Sequence, residues 1–100
     1  MSSMLELEDA IAAWHTRRFG KSVDLAKTYR KLLEEAGELG AALIKNDAEN
    51  AREEIGDMIL ILCHILRETN PKTPSIKSAL ERTLAKLLKR EAEGYAKKRD

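Results

Sequence analysis

Cysteine is almost missing from this chain. Cys63 stands alone among 100 residues, so no internal disulfide can staple the fold, and the small secreted scaffolds that depend on such staples are excluded. Excess charge is missing too: 18 Lys and Arg against 17 Asp and Glu leave a formal net charge of +1, which gives no general attraction to DNA, RNA or an acidic membrane surface. No apolar run is longer than Met58 to Cys63, whereas a membrane span needs about 20 residues. The N-terminal stretch carries Glu6, Glu8 and Asp9 instead of the basic start and apolar segment of a secretory signal, so the expected location is the cytoplasm. What remains is 43% hydrophobic and 35% charged, the balance of one small globular domain over residues 1–100. A domain this small leaves much apolar surface wet when it folds alone, which points to self-association.

Five glycines and two prolines punctuate the chain, and between them apolar residues recur at helical spacing. The expected class is all-α. Ser3 with Glu6 three residues later forms a capping-box pattern and opens a first helix, with Leu7, Ile11, Trp14 and Arg18 down one side as far as Gly20. Ser22 or Asp24 caps a second helix, whose apolar stripe of Leu25, Tyr29, Leu32, Leu33, Ala36, Leu39 and Leu43 reaches about Lys45. Asn46 with Glu49 repeats the capping-box pattern, and a third helix runs through Ile55, Met58, Ile59, Leu62, Ile65 and Leu66 until Thr69, Asn70 and Pro71 stop it. Thr73 as cap and Pro74 at the first helical position open a fourth helix, with Ile76, Leu80, Leu84, Leu87 and Leu88 as its core face and a frayed tail over about 96–100. The connection between the second and third helices is so short that they must fold back as an antiparallel hairpin. The expected architecture is a four-helix antiparallel bundle.

That hairpin brings acids together. Counted from Asn46, Glu38 and Glu54 each lie eight residues away, and Glu35 and Asp57 each eleven. At about 1.5 Å rise per residue the first pair stands about 12 Å from the turn and the second about one turn higher. Within each helix the two acids are three residues apart and share a face. Carboxylates gathered in a partly dry groove repel one another and call for a cation. Oxygen-only donors, with no His or Cys beside them, select a hard ion, Mg2+ with Mn2+ as the alternative, over zinc. Acids at helical spacing commonly line a solvated face instead. Against that, both acidic sets border the apolar stripe, beside Leu32, Leu39, Ile55 and Met58. Gly37, Gly40 and Gly56 also stand among them, each costing a helix interior about 1 kcal/mol relative to Ala, which points to a need for close approach or room.

The string KLLEEAGELGAAL, Lys31 to Leu43, followed by EEIGDMILIL, Glu53 to Leu62, resembles the MazG-like all-α nucleoside triphosphate pyrophosphohydrolases. Their E-E-x-x-E pattern reads here as Glu34, Glu35 and Glu38, and their E-x-x-D pattern as Glu54 and Asp57. The segment WHTRRF, Trp14 to Phe19, also looks like the start of many members, where the first helix leads into the nucleotide pocket. The resemblance implies Mg2+-dependent hydrolysis of an NTP or dNTP to the monophosphate and pyrophosphate, in the manner of an enzyme that cleans the nucleotide pool. The small size of the domain and the nearly all-round apolar run from Met58 to Leu66 point to a bundle completed by dimerisation, as a homodimer or a dimer of dimers. Residue by residue, Glu35, Glu38, Glu54 and Asp57 would ligate the metal, while Glu34 would aid a further ion or orient water. Glu34, Glu35, Glu38 and Lys31 then form the expected catalytic set.

Phosphate charge left over by a metal needs cationic donors, for which Lys31, Arg18, Lys86 and Arg90 are the candidates. Lys31 leads them, because it precedes the acidic motif by one helical turn on nearly the same face and matches a basic position common in the family it resembles. Trp14 can stack on a base or simply fill the core, and His15 can bond a phosphate or a base edge. His64 lies in the apolar run and reads as a satisfied buried or interface residue; it belongs to no E-x-x-H pair, which removes a ferritin-like di-iron centre. Cys63 reads as a small hydrophobe. The alternative function is a non-enzymatic helical dimer or interaction module with a regulatory metal site. A DNA-binding helix-turn-helix is disfavoured, since the tight turn joins two acid-bearing helices that phosphates would avoid.

Overall fold

The computed structural model describes residues 3–20 and 24–94, and among them the chain forms four α-helices and no strand. Helix α1 spans Met4–Phe19 and opens with the expected capping box: Ser3 Oγ accepts from the Glu6 N–H at 3.1 Å, and the Ser3 N–H donates to Glu6 Oε1 at 2.8 Å. Helix α2 spans Leu25–Ile44, with Asp24 Oδ1 accepting from the N–H groups of Ala26 and Lys27. Ser22, the other candidate cap, lies outside the described residues, as does the 96–100 tail.

Two caps differ from expectation. Asn46 does not cap the helix that follows it. It ends α2 instead, at φ 57°, in the left-handed region that Asn tolerates better than most residues. Its N–H bonds Leu43 O at 3.2 Å and the Asp47 N–H bonds Ala42 O at 2.9 Å, the paired bonds of a Schellman ending. Asp47 then caps α3, Ala48–Thr69, accepting from the Asn50 N–H at 3.1 Å. One short turn closes one helix and opens the next.

Helix α4, Ile76–Ala92, begins later than expected: Ser75 is its cap, and Thr73 and Pro74 lie before it. The reason is a partner distant in sequence. Glu8 of α1, 6% exposed, accepts from the backbone N–H groups of Ile76 and Lys77 and from the Ser75 hydroxyl. A carboxylate from α1 thus meets the donor-rich, positive end of α4 and satisfies groups that no intrahelical bond can reach.

The antiparallel α2–α3 hairpin is the most extensive packing in the chain; α1 lies on α3, and α4 touches both α1 and α3. The buried apolar residues are small: Ala12, Ala42, Ala51 and Cys63. Of the α2 stripe, Leu32 and Leu39 are half-buried, while Leu25, Tyr29, Leu33, Ala36 and Leu43 are exposed. The expected core face of α4 is not a core face within this chain, since Leu80, Leu84, Leu87 and Leu88 are exposed along with every described residue from Glu81 to Gly94. Only the first part of α4 finds neighbours to cover it. The radius of gyration, 16.1 Å, accordingly exceeds the roughly 13 Å of a compact domain of this length.

Replacing Glu8 with Ala should lower unfolding stability by about 2 kcal/mol in urea titration and speed amide exchange in the first turn of α4. A loss below about 0.5 kcal/mol would mean that α4 is held by something else.

Candidate functional site

The register set by the Asn46 turn places one carboxylate oxygen each from Glu35, Glu38 and Glu54 within 4.8 Å of one another. Glu35 is 6% exposed and Glu54 9%, while Glu38 stands at the solvent edge. Asp57 is not part of this close group. Three carboxylates meet where four were expected, and Asp57 instead lines the cleft beside them together with Glu35. Glu34 is largely exposed and outside the group.

Two responses to the crowded charge are visible. Lys31, one turn before Glu35, sends its Nζ to 3.4 Å from Glu35 Oε1 and 3.8 Å from Glu34 Oε2. The hydrogen bond to Glu35, then the charges of Glu35 and Glu34, raise the Lys31 pKa. Glu54 responds by holding a proton: hydrogen bonding with Glu38, then burial, then hydrogen bonding with Glu35 push it up to about 7 from an ordinary 4.5. Even so, Glu35 Oε2 and Glu54 Oε2 are buried with no hydrogen-bond partner. Buried carboxylate oxygens without donors are costly, and a hard divalent cation is the partner that their chemistry fits.

The glycines among the acids do not act through close approach within this chain, because a Cβ added at Gly37, Gly40 or Gly56 would meet nothing within 4 Å. They leave open space around the acids.

A cleft of about 770 Å³ runs from Glu35 and Asp57 toward α1. Lys31 lines it one turn from Glu35, and Lys27 and Thr28, level with His64 across the hairpin, line its far part together with Trp14, His15 and Phe19. Trp14 and His15 both meet Phe19, at ring-centroid distances of 5.9 and 4.9 Å. Of the expected substrate-binding residues, Trp14, His15 and Lys31 therefore reach the cleft. Arg18 does not: its guanidinium lies 5.4 Å from the centre of the Phe19 ring. Lys86 and Arg90 also do not, since they sit on the outer, exposed part of α4. Lys27 and His64 went unrecognised as cleft residues in the sequence. Lys27 had a signal, the four-residue steps from Lys27 to Lys31 to Glu35 that align a helix face, whereas His64 depends on how α1 crosses α3.

The fold and site together define a small all-α domain with a carboxylate cluster at one end of a largely apolar cleft of mixed charge, lined by Asp24 as well as Lys27 and Lys31, and aromatic rings at the other. The chain belongs to the family of the MazG nucleotide pyrophosphohydrolase domain, whose family model matches residues 24–94. The match covers α2 to α4 and leaves α1, with its Trp14 to Phe19 segment, outside it. No curated protein and no solved structure matches the chain.

Because Glu54 holds its proton up to about 7 when folded but only to 4.5 when free, the stability from that proton is full below pH 4.5 and is lost as pH rises through 7. Without divalent ions, wild-type melting temperature should therefore fall across this window relative to Glu54→Gln. Parallel Tm–pH curves for the two proteins would contradict the account of a proton held by Glu54.

Proposed function

We propose that this domain hydrolyses a nucleoside triphosphate, NTP or dNTP, to the monophosphate and pyrophosphate, with Mg2+ as its ion and Mn2+ as a substitute. The observation that carries the reading is the pair of partnerless buried oxygens on Glu35 and Glu54, at the end of a cleft whose other end is aromatic. Charge-demanding phosphates fit one end and a flat base the other. Glu35, Glu38 and Glu54 would hold the ion, with Asp57 at the cleft side of the same site. When bound, Mg2+ neutralises phosphate charge and polarises the phosphoryl group.

The residues of the chain then have separable tasks. Lys27 and Lys31 receive phosphate oxygens from the cleft wall, Lys31 exchanging its pairing with Glu35 for a phosphate oxygen. Glu34 or Asp57 orients a water against the α-phosphorus. A bond forms from the water oxygen to phosphorus, the bridge to the β-phosphate breaks, pyrophosphate leaves, and the water's proton passes to a carboxylate. Trp14, His15 and Phe19 enclose the base. The setting we propose is the cytoplasm, where a buried free thiol such as Cys63 stays reduced, and the role is cleansing of the nucleotide pool. No described helix is long and apolar enough to cross a membrane.

With Mg2+ and a panel of canonical and modified triphosphates, the wild type should release pyrophosphate, and Glu38→Gln or Asp57→Asn should lower kcat/KM on the order of 100-fold or more with the helical content unchanged. Full turnover in both variants would remove the mechanism. Mn2+ binding with no turnover of any triphosphate would favour the non-enzymatic module.

We further propose that a second copy covers the exposed leucines of α4 together with Ile59 and Leu62 of α3, as a homodimer or a dimer of dimers. Sedimentation equilibrium should show an assembly that Leu84→Glu dissociates. A monomeric wild type at micromolar concentration would contradict it.

A further inference from the structure

Two imidazoles close the aromatic end of the cleft. His15 of α1 and His64 of α3 stack with ring centroids 3.7 Å apart and planes 24° from parallel. His64 is 9% exposed and its Nε2 has no hydrogen-bond partner. The pair also borders a second cavity of about 320 Å³, into whose lining Thr16 and Arg67 enter. His64 thus belongs to a wall between two spaces, not to a filled core.

The fold supplies no need for histidine at this position. A phenyl ring would keep the stack on His15 and spare the chain an unpaired buried nitrogen, a group whose desolvation goes uncompensated here. Its position along α3 suggests what the nitrogen is for. His64 follows Asp57 by seven residues, two helical turns or about 10.5 Å along the same side of the helix. That is comparable to the span from the α-phosphate of a nucleotide across its sugar to the outer edge of its base. Burial, then the neighbouring His15, depress the His64 pKa against a weaker opposing pull from Glu68, so at neutral pH the ring is uncharged and offers one donor and one acceptor. A neutral imidazole can read an amino or carbonyl group but has little to offer a phosphate.

We propose that His64 reads the base in this chain: its imidazole takes the polar edge of the nucleobase of a bound nucleoside triphosphate, while the half-buried His15 ring swings off the stack to admit it. The inference rests on the nucleotide reading above. Its consequence is selectivity for triphosphates that carry a base over inorganic tripolyphosphate, with the carboxylate cluster indifferent to the difference.

The test follows the imidazole Hε1 resonances by NMR in the full chain with Mg2+, using non-hydrolysable α,β-imido analogues of the common nucleoside triphosphates and, separately, inorganic tripolyphosphate. At least one nucleotide analogue should shift the His64 signal and abolish its through-space contact with His15, and tripolyphosphate should leave both in place. His64→Phe should melt at a higher temperature than wild type, bind Mn2+ and tripolyphosphate unchanged, and bind the nucleotide about tenfold more weakly, the size of one lost hydrogen bond. His64→Gln should recover part of that loss. If nucleotides bind but leave His64 unmoved, or bind His64→Phe as tightly as wild type, this inference falls while the nucleotide reading stands. If Mn2+ binds and no triphosphate of any kind does, both fall together.

Discussion

Mutual repulsion among Glu35, Glu38 and Glu54 is the constraint on which the rest of this molecule turns. Three carboxylates share a space that one water-filled groove would ordinarily keep apart. The chain meets the problem with a lysine on one flank and a retained proton on the other, and two buried oxygens still lack partners. Such an arrangement is a poor way to stabilise a hairpin, because apolar residues of similar size would serve better. Its cost becomes intelligible if a cation completes it, in keeping with the tendency of functional sites to break the rules that the surrounding fold obeys.

The site is shared among three helices with different duties. Helix α2 brings Lys27, Lys31 and Glu35 to the cleft and Glu38 to the carboxylate group, α3 brings Asp57 and His64 to the cleft and Glu54 to the group, and α1 closes the end with Trp14, His15 and Phe19. The hairpin turn holds α2 and α3 in register through its own backbone bonds, so the acids do not depend on distant contacts for their alignment. Helix α1 has less to hold it. It rests on α3 and is tied to α4 by the Glu8 carboxylate, so the aromatic end is the part of the cleft best able to adapt to a ligand.

What the sequence made legible was whatever depends on local periodicity. Four helices, the Ser3–Glu6 capping box and the equal spacing of acids about Asn46 follow from patterns within one or two turns, and the structure contains them. The boundaries moved where the deciding partner was remote. Ser75 became the cap of α4 because Glu8, 67 residues earlier, hydrogen-bonds it, and no local pattern announces that. Asn46 took a left-handed conformation because ending α2 needs it more than starting α3 does, a competition between two motifs sharing the same residues. Asp57 stands outside the closest carboxylate group although it is as far from Asn46 as Glu35 is, since equal counts along two helices fix height but not the rotation of each face. The leucines of α4 carry the pattern of a buried face, yet hydrophobic spacing records that a face is to be covered and not by what.

Proton release on metal binding tests the central claim most directly. Calorimetric titration of the full chain with Mg2+ near pH 7, in buffers of differing ionisation enthalpy, should reveal release of a fraction of a proton per bound ion, as the cation displaces the proton held by Glu54, and the release should vanish well above pH 7 and in Glu54→Gln. Saturable binding with no proton exchange at any pH, or no binding at all, would contradict the account of three carboxylates built to hold a divalent ion.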